Sequence, residues 1–350
     1  MENSLTESIK LTQLSKGSGC GCKIAPAVLE EILGKSGNRE IFPGLLVGNE
    51  SSDDAAILEI HDGLCLISTT DFFTPIVNNP FDYGRIAAAN AISDVYAMGG
   101  NPTLALAILG FPVDKLSTEV ARQIIAGAKE ICKNAGIPLA GGHTIDSQDP
   151  IFGLAVNGLV QKENIRKNST AQNGDLIILT KPIGSGVMSA AHKRGLLSAE
   201  DLETVTKIMV RLNKEGSKLG ESTDVHAMTD VTGFGLIGHL IEMCEGSSLS
   251  AQINVKYIPL IPGVETYINQ YIIPDNTYRN WNSFESKVAG VSGPEFISLC
   301  DPQTSGGLLV AIQPDKLEQI RSLIKETSSL AEVAVIGRFI PSAEKTVYVQ

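Results

Sequence analysis

A two-domain α/β fold, part of it segregated as α+β, is what this chain of 350 residues predicts, and three observations carry the expectation. Apolar runs of strand character alternate with helical stretches from residue 55 onward. A polar interval, Glu163 to Gly174, rich in Lys, Asn, Gln and Ser, divides that alternation in two. A hydrophobic content of 43% over this length supplies core for about two domains.

The elements follow in order. Residues 1–45 are polar and Gly-containing and read as a flexible arm, with one short helix over Ala25–Leu33 opened by Pro26 in its first turn. The N-terminal domain, 46–162, begins with strands at Ala55–Ile60 and Leu64–Thr70. Between them, His61-Asp62-Gly63 has the chemistry of a tight hairpin turn. An alanine-rich helix runs from Phe81 to Met98, between Pro80 and Gly99-Gly100. Strand Leu104–Leu109, helix Ser117–Asn134 and strands Pro138–Gly142 and Phe152–Val160 complete the first unit. The C-terminal domain, 170–350, opens with a strand at Asp175–Thr180. Helices over Ala199–Leu219 and Gly235–Cys244, a long loop from Pro274 to Pro294, a strand at Leu308–Ile312, a helix at Pro314–Ser328 and a final strand pair follow.

Charge and composition exclude several classes of function. A formal net charge of −11 argues against a nucleic-acid or anionic-membrane surface, since affinity for phosphate backbones comes from clustered Lys and Arg. An anionic substrate therefore needs local rescue by a metal or a helix end. No basic, then apolar, secretory start is present, and the most apolar stretch, Thr103 to Val113, is broken by Gly110 and Pro112. A reducing, cytoplasmic setting is expected, and Cys65, Cys132, Cys244 and Cys300 lie in apolar segments as ordinary buried thiols.

The chemistry lies elsewhere. Gly17-Ser18-Gly19-Cys20-Gly21-Cys22-Lys23 places two thiols beside a cation in a glycine-rich run, a setting in which thiols ionise more readily. Asp53-Asp54 precedes the first strand, Asp71 follows the second, and Asp94 shares a helix face with Asn90. Asp230 sits in Thr229-Asp230-Val231-Thr232-Gly233-Phe234-Gly235. One aspartate is unremarkable, since the residue caps helices and starts turns. If three or four converge, two unpaired charges about 4 Å apart repel by roughly 4 kcal/mol at an effective dielectric near 20, so a divalent cation belongs among them. Carboxylates without His favour a hard ion, and Mg²⁺ is the usual choice where phosphates complete the shell. No Gly-x-x-x-x-Gly-Lys-Ser/Thr loop is present. Phosphate contacts then fall to Lys23, to the backbone around Ser51-Ser52-Asp53, and to Gly141-Gly142-His143-Thr144, where His143 is equally readable as a structural histidine.

Taken together, the motifs Gly-Cys20-Gly-Cys22-Lys23, Ser51-Ser52-Asp53-Asp54, Thr69-Thr70-Asp71-Phe72-Phe73, Asn90 to Gly100, Gly141-Gly142-His143, Thr229 to Gly235 and Asp301-Pro302-Gln303-Thr304-Ser305-Gly306-Gly307 resemble the selenophosphate synthetase family, almost end to end. The aspartate and glycine motifs are shared with the wider aminoimidazole ribonucleotide synthetase-like superfamily. The Cys-Gly-Cys-Lys segment points to the selenium enzymes. The resemblance implies that Cys20 is the catalytic thiol with Lys23 beside it. It implies Asp54, Asp94 and Asp230 as Mg²⁺ ligands and Asp71 and Asp94 at the ATP phosphates. Lys23, Ser51, Ser52, Asp53, Gly142, His143 and Thr144 would line the nucleotide. The implied reaction converts ATP, hydrogen selenide and water to selenophosphate, AMP and phosphate, supplying activated selenium for selenocysteine and selenouridine. A first sheet flanked by helices would pair with its twin in the barrel of a homodimer, and a selenium-delivery protein is a further implied partner. Asn90, read as orienting Asp94 or packing its helix, and the Asp301–Gly307 turn stand outside the catalytic set. Two rivals are another superfamily kinase, which would yield ADP, and a soft-metal carrier built on the Cys pair.

Overall fold

The computed structural model describes residues 10–15, 17, 19, 31–32, 42–48, 53–328 and 333–350. The first half builds strands β1 (Leu45–Val47), β2 (Ala56–His61) and β3 (Leu64–Phe73), helix α1 (Pro80–Ala97), strand β4 (Asn101–Phe111), helix α2 (Thr118–Ala135), and strands β5 (Leu139–Asp146) and β6 (Ile151–Gln161). They form a six-stranded sheet in the order β1-β2-β3-β6-β4-β5. The β2–β3 hairpin turns through Asp62 (φ 36°) and Gly63 (φ 81°), two left-handed residues in succession, which matches the right-handed twist of the flanking strands. All strand pairs are antiparallel except β4–β5, which is parallel because α2 carries the chain back between them.

Helix α1 is the centre of the molecule. Asn79 caps it, its Oδ1 accepting from the amides of Phe81 (2.9 Å) and Asp82 (3.1 Å), and Pro80 supplies a first-turn residue with no amide to satisfy. From Ile86 to Ala97 every residue is buried. A helix buried all round needs partners on every side. α1 has the first sheet on one side, α2 on another, and the second half of the chain on a third. Its approach to α2 depends on two glycines: a Cβ on Gly84 would stand 1.9 Å from the Ile124 carbonyl oxygen, and one on Gly127 would stand 2.0 Å from that of Phe81.

The helices cover only one face of the first sheet. Ile67 and Phe73 of β3 are buried beneath α1, and strand alternation puts Thr69 and Asp71 on that same face. Among the described residues no helix covers the opposite face, where Phe72 is 48% and Leu106 37% exposed, and the described strands do not close into a barrel within one chain.

The second half builds β7 (Leu176–Leu179), α3 (Ser185–Lys193), α4 (Ala199–Met209), α5 (Glu215–Gly220), β8 (Val225–Asp230), α6 (Gly235–Gly246), β9 (Leu249–Ile253), α7 (Val264–Asn269), α8 (Asp275–Phe284), β10 (Val288–Ala289), α9 (Glu295–Leu299), β11 (Leu308–Ile312), α10 (Leu317–Thr327), β12 (Ala334–Pro341) and β13 (Val347–Val349). The seven-stranded sheet runs β10-β13-β9-β12-β7-β11-β8. All five residues of β11 are buried, as expected for an inner strand covered on both faces.

Several expectations need correction. The helix expected over Ala199–Leu219 is two helices, α4 and α5, separated around residues 210–214. The expected loop from Pro274 to Pro294 contains a helix. α8 buries Asn276, Asn280 and Phe284 at a four-residue spacing, and a stripe half made of asparagine has no apolar periodicity to read. Asn280 earns its burial by donating to the carbonyls of Gly233 (2.9 Å) and Cys300 (3.0 Å). Helix α3 and strands β8 and β9 were not anticipated, and β5 extends four residues beyond Gly142. The two last strands are present, but β9 lies between them. Most of the expected helix Ala25–Leu33 falls outside the described residues.

Candidate active site

The aspartates meet where the two sheets face each other across α1. Asp54 leads into β2 and Asp230 ends β8, so each is delivered by a strand terminus of a different sheet. Thr229 Oγ1 donates to Asp54 Oδ1 at 2.8 Å and ties the two together. Asp94 and Asn90 are one turn apart on α1 and meet the same face of β3: Thr69 Oγ1 donates to Asp94 Oδ2 at 2.5 Å, and Asn90 Nδ2 donates to Asp71 Oδ2 at 2.6 Å. Asn90 therefore holds Asp71 rather than Asp94.

The cluster is electrostatically incomplete. Asp54 Oδ2 is shut off from solvent and accepts no hydrogen bond from the described residues. Burial raises the Asp54 pKa well above the ordinary carboxylate value, and the nearby charges of Asp230 and Asp94 raise it further. A cation would reverse both effects. Among the described residues no three acidic, His or Cys side chains are gathered tightly enough to cage a metal alone. Mg²⁺, which keeps waters and takes one or two carboxylates with substrate phosphates, asks for no full protein cage. Asp54, Asp94 and Asp230 are the residues that fit it.

A second set of residues braces this cluster: the Asp301–Gly307 turn and Asn90, both outside the catalytic set expected from the sequence, and Lys181, absent from every sequence expectation. Lys181 is 1% exposed, and its Nζ donates to the carbonyls of Ser305 (2.8 Å) and Arg211 (2.7 Å). Burial, and then the Arg211 guanidinium, hold its pKa well below the usual lysine value. Ser305 has a left-handed backbone (φ 51°), costly for a residue with a side chain, and its amide donates to Asn90 Oδ1 at 2.7 Å. A continuous path thus runs from Lys181 through Ser305 and Asn90 to Asp71. Asp301 is fully buried, accepting from Gly186 N (3.0 Å) and Gln303 Nε2 (2.8 Å), and burial lifts its pKa to about 7 against those bonds. Gly307 O accepts from Val231 N at 2.9 Å, and a Cβ on Gly306 would stand 2.1 Å from the Val231 carbonyl oxygen. The Asp301–Gly307 turn is therefore packed directly on the Asp230 loop. One signal for Lys181 was available: a lone charge closing a four-residue apolar strand has no exposed face on which to sit.

The described part of the arm reaches the same region. Gly19 N donates to Thr74 O at 3.1 Å, just past β3, and Lys193 Nζ donates to the carbonyls of Ser15 (2.7 Å) and Gly17 (3.1 Å). Cys20, Cys22, Lys23, Ser51 and Ser52 lie outside the described residues. Asp53 Oδ1 accepts from Asn168 N at 2.8 Å, tying the first strand to the segment between the two halves. Gly142, His143 and Thr144 are not brought to the carboxylates. They lie exposed on edge strand β5, with β4 and β6 between them and β3, about 14 Å away at ordinary strand spacing. The four thiols expected to be inert are buried and unbridged, and burial pushes Cys132 to about 11 and Cys244 and Cys300 to about 12.

Comparison with known proteins places this geometry. Residues 52–160 match the family described as AIR synthase related protein, N-terminal domain, and residues 172–350 match its C-terminal domain. The chain is 50% identical over 335 residues to the selenide, water dikinase of Escherichia coli (strain K12), covering 96% of each chain, and equally similar to that of Shigella flexneri. Among solved structures it resembles thiamine-monophosphate kinase from Stenotrophomonas maltophilia K279a (TM-score 0.65, 20% identity, 93% of this chain and 96% of that one). It also resembles hydrogenase maturation protein HypE in complex with ATP (TM-score 0.63, 18% identity, 86% and 82%). At these identities the structures speak to the fold alone.

Proposed function

The chain belongs to the selenide, water dikinase family, and from that premise we propose that it converts ATP, hydrogen selenide and water to selenophosphate, AMP and phosphate. The observation that carries the reading is the 50% identity across 96% of both chains, joined to a carboxylate cluster that calls for a cation.

The residues divide the work. Asp54, Asp94 and Asp230 would hold Mg²⁺, which when bound with the nucleotide neutralises charge on the transferred phosphoryl group. Asp71, held by Asn90, would meet the ATP phosphates. Thr69 and Thr229 hold Asp94 and Asp54 in one rotamer each, so little reorganisation is left for the reaction itself. Cys20 and Lys23 follow directly on the anchored Gly19. In this reading Lys23 steadies the γ-phosphate and favours the Cys20 thiolate, while the arm keeps water from the first transfer. Phosphorus NMR of the protein incubated anaerobically with ATP, Mg²⁺ and selenide tests the activity. Selenophosphate with AMP and phosphate is expected, and a Cys20→Ser variant is expected to lose it; ADP as the sole nucleotide product would overturn the proposal.

The protein is read here as a homodimer. The face carrying Phe72, Leu106 and Ile145 is exposed and apolar, and residues Gly142–Thr144 stand on the edge strand, three strands from Asp71, where a second copy could reach them. They would instead line the site of the second copy. Mixing an inactive Asp54→Asn protein with an inactive His143→Ala/Thr144→Ala protein, after subunit exchange, should then restore about a quarter of wild-type activity, because half the dimers carry one intact site. No recovery would exclude a shared site. Among the described residues no helix is long and apolar enough to cross a membrane, and a cytoplasmic location with a selenium-delivery partner completes the proposal.

A further inference from the structure

The chain's net charge of −11 poses a problem for its own substrate. Hydrogen selenide is a stronger acid than a thiol and is the hydroselenide anion near neutral pH, so the protein as a whole repels it. Its target, a nucleotide phosphate, repels it again. Local positive charge is needed on its route, and the carboxylate cluster cannot supply it.

One cleft does. It has a volume of about 630 Å³ and opens between the C-terminal end of α3, the start of α8 and the anchored arm at Gly17, with Thr304 in its lining. Lys193, Arg194 and Arg279 face it, against the single carboxylate of Asp275; Asp149 also lies near Lys193. The negative end of the α3 dipole accounts for Lys193 and Arg194, but not for Arg279, which comes from the middle of a different helix. The guanidiniums are tethered to neutral oxygens, Arg194 Nη2 to Ile273 O (3.4 Å) and Arg279 Nη1 to Asn276 Oδ1 (2.9 Å). Neither is ion-paired with a described residue, and with Lys193 they outnumber the one carboxylate, Asp275, in the cleft lining. The cleft also adjoins the segment that leads to the thiol: a Cβ on Gly19 would touch Thr304 Oγ1, 2.5 Å away, and Lys193 holds Gly17.

We infer that this cleft is the vestibule through which hydroselenide is gathered from solution and passed toward the arm, with Arg194 and Arg279 as the attracting charges and Lys193 as the residue that keeps the arm on its rim. The inference rests on the proposed activity and adds the route of the selenium substrate to it. A low-dielectric cleft lined by one sign of charge focuses the field and raises on-rates by about 10- to 1,000-fold, an effect that salt screens.

The test is steady-state kinetics of the full chain with selenide and with ATP as the varied substrate, at low and high ionic strength. In an Arg194→Glu/Arg279→Glu variant, kcat/KM for selenide should fall about tenfold or more at low salt while KM for ATP stays within about twofold, and the salt dependence of the selenide term should flatten. Arg194→Gln/Arg279→Gln should fall between. Both residues are exposed, and an unchanged melting temperature excludes misfolding. Selenide kcat/KM within twofold of wild type, or an equal loss for both substrates, overturns the vestibule and leaves the activity standing. A wild-type chain that makes no selenophosphate overturns the activity itself, and the vestibule with it.

Discussion

Asp54→Asn should abolish turnover and stabilise the metal-free protein at the same time. Asparagine keeps the shape of the side chain and can still accept from Thr229, but it removes the charge that would face the cation. Loss of a ligand worth about 4 kcal/mol to the transition state corresponds to a turnover drop of roughly 1,000-fold. Stability moves the other way because the carboxylate is buried and repelled by Asp230 and Asp94. The pH dependence follows from the same cause. The folded pKa is raised, so only well below the ordinary Asp value of about 3.9 are both folded and unfolded chains protonated and the group without effect on stability. As pH rises from there the unfolded chain releases its proton first, and stability falls until the raised folded pKa is passed. Metal-free wild type should therefore melt lower at neutral pH than at pH 5, with a smaller drop in the variant. Mg²⁺ should raise the wild-type melting temperature at neutral pH and leave the variant little changed. Retained turnover would remove Asp54 from the ligand set; a variant that melts lower than wild type at neutral pH would refute the account of repulsion.

Lys181→Met is expected to lower kcat by about 10- to 100-fold although Lys181 touches no reacting group, because an ångström of misplacement at a transfer site costs on that order. The side chain fits the same volume, but the Ser305 and Arg211 carbonyls lose their donor. Each unpaired carbonyl costs about 1–3 kcal/mol, offset in part by removal of a cation buried beside Arg211. The left-handed Ser305 then loses its Lys181 restraint, Asn90 Oδ1 loses a fixed donor, and Asp71 swings. A double-mutant cycle with Asn90→Ala separates this path from general loosening. If the path acts as a unit, the second substitution adds little to the first; fully additive losses would break the connection.

The sequence shows the pieces of this site better than their order of importance. Asp54, Asp71 and Asp230 are visible because each stands by an apolar strand run, and Asp94 because it is a charge inside an alanine-rich helix, where it needs a reason. Asn90 is visible too, but a spacing of four on a helix says only that it shares a face with Asp94; which of them takes Asp71 depends on the register of β3 under α1. Lys181 and Ser305 acquire meaning only when a strand and a turn 124 residues apart are packed together. Helix α8 escaped because its buried positions are mostly polar, Asn276, Thr277 and Asn280, the last paired to loop carbonyls, and α3 because its run of Ser, Gly and Ala has little apolar contrast. The hairpin at Asp62-Gly63 and the limits of α1 were legible because turn and cap chemistry is local.

The small residues of α1 set a distance. Ala87, Ala88, Ala89 and Ala91 are at most 1% exposed, and on the far side Gly216 of α5 brings its Cα so near that an added Cβ would stand 2.3 Å from the Tyr96 carbonyl oxygen. The helix is a spacer of fixed thickness between two sheets, one carrying Asp54 and Asp71 and the other Asp230. A methyl group added to one of these buried alanines would push the packed elements apart. If the proposed Mg²⁺ sits among these carboxylates, the alanines set the gap it would span, through side chains that never meet it.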